Sequence, residues 1–133
     1  MQYVKMYLVA LVVFFAVDLV WLGLIAKDLY QKHLGFIMSP KVNWAAAIIF
    51  YLIFLVGLIF FVIHPAIEKD SFLYALAVGA FFGFITYATY DLTNLATLKD
   101  WPIFITVVDL IWGSVLSATV SSVTFLVIKN FFS

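Results

Sequence analysis

The sequence predicts an all-α fold, an integral membrane four-helix bundle, and three observations carry that expectation. Hydrophobic residues make up 67% of the 133 and charged residues 11%, with a mean hydropathy of +1.20, whereas a soluble domain is about 45–50% apolar and about 25% charged. Four segments reach the ~20 apolar residues that cross a bilayer as a helix, and none shows the alternation over ~10 residues that a barrel strand needs. Pro40, Pro65 and Pro102 fall at or beside the breaks, where a helix can stop without losing a needed N–H.

The first segment, Met6–Ala26, follows Lys5 as the apolar core of a signal peptide would. It is too long for one and ends in Leu-Ile-Ala-Lys-Asp, without an Ala-x-Ala-like cleavage site, so it reads as a retained span. The break Lys27–Asn43 mixes apolar and polar residues in Asp-Leu-Tyr-Gln-Lys-His-Leu-Gly-Phe-Ile-Met. It either lies as a short helix in the interface or continues the first helix out of the membrane. The second segment, Ala45–Ile63, holds no acidic or basic side chain and reads as scaffold. The third and fourth are Phe72–Leu98 and Ile103–Ile128. The last two breaks are short, which makes helices two, three and four antiparallel neighbours in order. Trp44, Trp101, Tyr3, Tyr7 and Tyr74 lie near segment ends, as interfacial anchors do. His33 and His64 read as polar residues at the membrane edges. Residues 1–133 thus form a single four-helix transmembrane domain.

Charge sets the remaining bounds. The net charge is zero, and the chain contains neither Arg nor Cys. No basic patch is available for nucleic acid, and disulfides, thiolate metal sites and cysteine nucleophiles are excluded. No metal or cofactor is expected. On the side of both termini stand Lys5, Lys69 and Lys129; on the opposite side stand Lys27, Lys32, Lys41 and Lys99. By the positive-inside rule the second side leans towards the cytoplasm.

Three acids break the apolar pattern. Asp18, Asp91 and Asp109 lie inside the first, third and fourth segments, which hold no basic residue. An ionised Asp at a helix centre costs roughly 2.5–3.5 kcal/mol on insertion scales, so such residues default to a functional reading. All three are displaced towards the side opposite the termini. Asp91 and Asp109 each lie nine residues from Asp100, which in a tight antiparallel hairpin puts them at one depth and facing. At ~100° per residue, Gly79, Gly83, Thr86, Tyr87, Tyr90, Asp91, Asn94 and Thr97 fall on one face of the third helix. Gly79 and Gly83 permit close backbone approach, and Gly113, Ser117 and Ser121 follow Asp109 at four-residue steps as a matching packing face. Trp21 and Trp112 each follow an Asp at i+3, in Val-Asp-Leu-Val-Trp and Val-Asp-Leu-Ile-Trp. The expected ligand- or proton-binding set is Asp18, Asp91, Asp109, Asn94, Tyr87, Tyr90, Trp21 and Trp112. Without a fixed cation, mutual repulsion and desolvation favour at least one acid holding its proton at neutral pH.

Val-Asp-Leu-Val-Trp-Leu-Gly at Val17–Gly23, Tyr-Ala-Thr-Tyr-Asp-Leu-Thr-Asn-Leu-Ala-Thr at Tyr87–Thr97 and Val-Asp-Leu-Ile-Trp-Gly at Val108–Gly113 resemble one family over almost the whole chain. It is the group of small bacterial membrane proteins called domain of unknown function 2177, and the Asp-Leu-Tyr-Gln-Lys-His-Leu-Gly stretch belongs to the likeness. The resemblance implies a bacterial, four-helix inner-membrane protein. It implies no activity.

Three functions remain open on the residues alone. A polar pocket of carboxylates, Tyr and Asn would bind or move a proton, a cation or a small amphiphile with a basic group. Passage through only four helices would call for a homo-oligomer or larger membrane partner. A membrane enzyme acting on a lipid would use one Asp as general acid beside a carboxylate, with no Arg to grip a phosphate. A non-catalytic accessory or assembly subunit would use the Gly and Ser faces to pack on a partner within the lipid bilayer, with the acids serving as hydrogen-bond glue.

Overall fold

Apolar stretches of bilayer length must satisfy their backbone groups internally, and here they do so as helices. The computed structural model describes residues 2–26, 28–38, 41 and 43–132. Lys27 and Pro40, invoked above as a loop charge and a helix break, lie outside the described residues. Helix α1 (Gln2–Val20) runs into a π-helical turn, Trp21–Ile25, and α2 (Leu29–Leu34) is a separate short helix. Helix α3 (Trp44–Leu58) passes through a second π-helical turn, Ile59–Ile63, into α4 (His64–Glu68). The long helices α5 (Phe72–Thr97) and α6 (Ile103–Val127) complete the fold, α6 ending in a π-helical turn at Ile128–Phe132. No strand occurs among the described residues. Four stretches, Gln2–Leu24, Trp44–Glu68, Phe72–Thr97 and Ile103–Phe132, are long and apolar enough to cross a membrane.

The second span does not stop at Ile63. Pro65 stands in the first turn of α4, and its missing N–H leaves the Phe61 carbonyl without its usual helical donor. The Tyr74 hydroxyl donates to that oxygen at 3.3 Å, and the helix continues past the proline. It then closes with paired backbone bonds, Ser71 N to Ala66 O at 3.0 Å and Asp70 N to Ile67 O at 3.1 Å. Asp70 takes the left-handed position, φ 50°, a place that Gly usually fills and Asp tolerates. Ser71 then starts α5 by accepting the Tyr74 N–H at 3.0 Å.

Packing centres on α6. It lies along α5 and also against α1, while the second span meets α5 and α6 mainly through Ile59–Ile63. Met6 and Phe14 of α1, Leu55 and Leu58 of α3, Val62, and Leu116 and Val120 of α6 share the largest buried cluster. A Cβ on Gly83 would overlap the Gly113 carbonyl, one on Gly113 would overlap the Tyr87 ring, and one on Gly79 would sit 2.9 Å from Ser121 Oγ. The α5–α6 seam is therefore a backbone-to-backbone contact that side chains would wedge apart. Large apolar side chains point outward in every span, among them Val12, Ile53, Phe81 and Ile111. That surface suits lipid.

The termini side is tied by polar contacts. Lys129 pairs with Asp70, His64 with Glu68 at 3.1 Å, and the Tyr3 ring stacks on His64 at 4.7 Å. On the opposite side, α2 folds over the α5–α6 turn. Leu34 packs with Trp101 and Ile105, joined by Leu29, Tyr30 and Leu95. Trp101 is therefore buried, not displayed as an interfacial anchor, and its Nε1 donates to Thr106 Oγ1 at 3.1 Å. Trp44 is exposed.

Candidate functional site

The Val-Asp-Leu-x-Trp strings of α1 and α6 meet because the two helices pack against each other in opposite directions. Lys5 lies 5.9 Å from the Phe132 ring centroid at one end of the pair. Towards the other end, Trp21 and Trp112 stack with ring centroids 4.3 Å apart and planes 10° from parallel. One helical turn separates each Trp from its Asp, so the stack brings the Asp18 and Asp109 walls to one cavity. That cavity has a volume of about 670 Å³. Asp18, Trp21, Asp109 and Trp112 line one part of it, and Thr86, Tyr87 and Tyr90 of α5 line another. Ala46, Ala47, Phe50 and Tyr51 of α3 close it where the second span has separated from α5 and α6. No basic side chain lines it among the described residues.

The two lining carboxylates differ in what they meet. Asp109 accepts a hydrogen bond from the Tyr30 hydroxyl at 2.6 Å, and that oxygen in turn accepts from Trp21 Nε1 at 3.2 Å. The run Trp21, Tyr30, Asp109 thus links α1, α2 and α6. Burial, followed by the hydrogen bond to Asp109, pushes the Tyr30 hydroxyl pKa above the ordinary tyrosine value, so Tyr30 remains a donor through the neutral range. Asp18 is also buried. Among the described residues it has no hydrogen-bond partner, and its electrostatic neighbours are the Tyr51 and Tyr87 hydroxyls.

Asp91 stands apart from the cavity wall. It is fully buried in the α5–α6 hairpin and faces Asp109, close enough for the two carboxyl groups to act on one another. Among the described residues no O–H or N–H donor outside this carboxyl pair reaches either Asp91 oxygen, and Asp109 is the group they act on. Asn94 does not line the cavity either; it lies against the Tyr90 hydroxyl. Tyr90 lines the cavity edge but is 58% exposed, its ring edge-on to Trp101 at 5.8 Å. Thr86 spends its hydroxyl on the Phe82 and Gly83 carbonyls, at 3.0 and 3.1 Å. The packing set Gly79, Gly83, Gly113, Ser117 and Ser121 lies along the α5–α6 seam, and the hydroxyls of Ser117 and Ser121 are buried there without partners among the described residues.

Of the expected binding set, then, Asp18, Asp109, Trp21, Trp112, Tyr87 and Tyr90 share one cavity, while Asp91 and Asn94 lie beside it. Tyr30, Tyr51 and Phe50 were missed. Tyr30 belongs to the Asp-Leu-Tyr-Gln-Lys-His-Leu-Gly stretch, whose mixed pattern fitted either a short helix in the interface or a continuation of the first helix; an inward-facing hydroxyl left no separate signal. Tyr51 was the one hydroxyl within an otherwise apolar second segment, and that was a usable clue. No group of three or more His, Cys, Asp or Glu able to hold a metal ion occurs among the described residues.

No curated protein and no solved structure matches the chain. A family model described as a predicted membrane protein, domain of unknown function 2177, matches residues 3–126. The chain therefore belongs to that family of membrane proteins, and its cavity lies within the matched region.

Proposed function

We propose that this membrane protein binds a small amphiphile with a positively charged nitrogen in the cavity between α1, α3, α5 and α6. One observation carries the reading: two acidic side chains, Asp18 and Asp109, and six aromatic rings other than Phe50 line one cavity, and among the described residues no basic side chain stands on its wall. A cation held there gains Coulomb attraction to the carboxylates. It also gains ring-face attraction worth about 0.5–2 kcal/mol per well-placed contact. Apolar walls formed by Leu22, Ala46, Ala47 and Phe50 suit the hydrocarbon body of such a ligand. The cavity volume, about 670 Å³, falls in the range of small-molecule sites, ~300–1,000 Å³. The proposal includes a bacterial inner-membrane location with four crossings. For passage across the bilayer it includes a homo-oligomer or larger partner, because four helices leave little room for a continuous path.

Calorimetric titration in nanodiscs tests the reading, with tetraphenylphosphonium as the cationic probe, triphenylphosphine oxide as the neutral one, and empty nanodiscs for subtraction. The cation should bind measurably and the neutral probe much more weakly. The double variant Asp18→Asn, Asp109→Asn should weaken cation binding by at least about ten-fold, the worth of one hydrogen-bonded or paired charge. Equal binding of both probes, or a double variant that binds the cation as the parent does, would overturn it.

A further inference from the structure

Resting on that reading, the unequal partners of the two lining carboxylates point to a ligand of one particular charge. Asp109 is already engaged by the 2.6 Å bond from Tyr30, in the length range of strong bonds to a carboxylate. The Tyr30 oxygen receives Trp21 Nε1 at 3.2 Å, and the Trp21 ring is held in its stack with Trp112. Tyr30 is also anchored through its helix, since Leu34 of α2 packs on Trp101 and Ile105. Displacing the hydroxyl from Asp109 would therefore disturb a bond, a relay and a docked helix together. Asp18 lines the same cavity with no donor among the described residues.

We infer that the site accepts a single positive charge, with Asp18 as the counter-ion and Tyr30 masking Asp109, so that monocations are preferred over dications of the same build. A second cationic group entering the cavity has to share Asp109 with Tyr30, whose hydroxyl holds Oδ1 and draws on the carboxylate's charge, so its attraction there is weaker than at Asp18. Tyr30 is on this account a specificity-determining residue.

The test compares decyltrimethylammonium with decamethylene-bis(trimethylammonium), which share a ten-carbon chain and a headgroup and differ in the second charge. Both are titrated below micellar concentration into the intact protein in nanodiscs. The parent should prefer the monocation by about ten-fold or more, and Tyr30→Phe, which removes one oxygen, should shift that ratio towards the dication by about ten-fold. Adding Asp109→Asn to Tyr30→Phe should cancel the shift. A parent without preference, a ratio unchanged in Tyr30→Phe, or a shift that survives Asp109→Asn would each overturn the inference while leaving cation binding intact. Failure of both probes to bind the parent would instead overturn the proposed function itself.

Discussion

Gly83 and Gly113 mark the closest approach of two helices, and the consequence is measurable residue by residue. A Cβ at Gly83 would overlap the Gly113 carbonyl and crowd the Ser117 side chain, and backbone cannot step aside as a flexible side chain can. Gly83→Ala should cost about 1–3 kcal/mol, as overpacking does, and lower the thermal midpoint in detergent. Gly23→Ala, with nothing within 4 Å of the added atom, should stay within about 0.5 kcal/mol of the parent. Asp91 makes the opposite case. Among the described residues its carboxyl oxygens are buried with no donor beyond the Asp109 carboxyl they face, so an amide in its place brings a fixed donor towards an acceptor. Asp91→Asn should raise stability by about 1 kcal/mol, the net worth of one hydrogen bond; a fall in the same melting experiment would mean the carboxyl itself is needed. At this scale the acids and tryptophans were legible because they interrupt apolar runs. Which acid has a partner was not, since the partner of Asp109 comes from Tyr30, 79 residues away.

Helix ends turn on donors supplied from elsewhere in the chain. Pro65 signals a break by its own chemistry, yet the second span passes through it, and Tyr74, from α5, donates to the Phe61 carbonyl that the proline cannot serve. Sequence alone could place the proline but not its rescuer. Tyr74→Phe should leave that carbonyl without its donor and destabilise the protein by about 1 kcal/mol, seen as a lower melting temperature in detergent. The exposed outer face of the span would be unaffected. Trp101 teaches the same lesson. Its position near a segment end suggested an interfacial anchor, whereas α2 covers it and Thr106 accepts its indole N–H. The four long apolar runs, by contrast, were readable with boundaries shifted by a few residues, because bilayer-length hydrophobicity requires no tertiary partner to declare itself.

For the whole molecule, the four crossings proposed above would place the two tight connections on opposite membrane faces. Lys69 lies beside the α4–α5 turn and Lys99 beside the α5–α6 turn, both exposed. The absence of cysteine makes single-cysteine variants at these positions clean reporters. With a membrane-impermeant maleimide on intact cells, Lys69→Cys should label directly and Lys99→Cys only after permeabilisation, following the excess of lysine on the Lys99 side. Reversed labelling would invert the orientation and leave the four-span topology standing. Labelling of both from one side would break the topology, because α5 carries 26 residues between the two turns, about 39 Å at 1.5 Å per residue, which exceeds the ~30 Å hydrocarbon core it would then have to avoid. The placement of the proposed binding site follows from that outcome. Asp18, Tyr30 and Asp109 all lie towards the Lys99 end of their helices, so the side on which Lys99→Cys reacts is the membrane face nearer the proposed site.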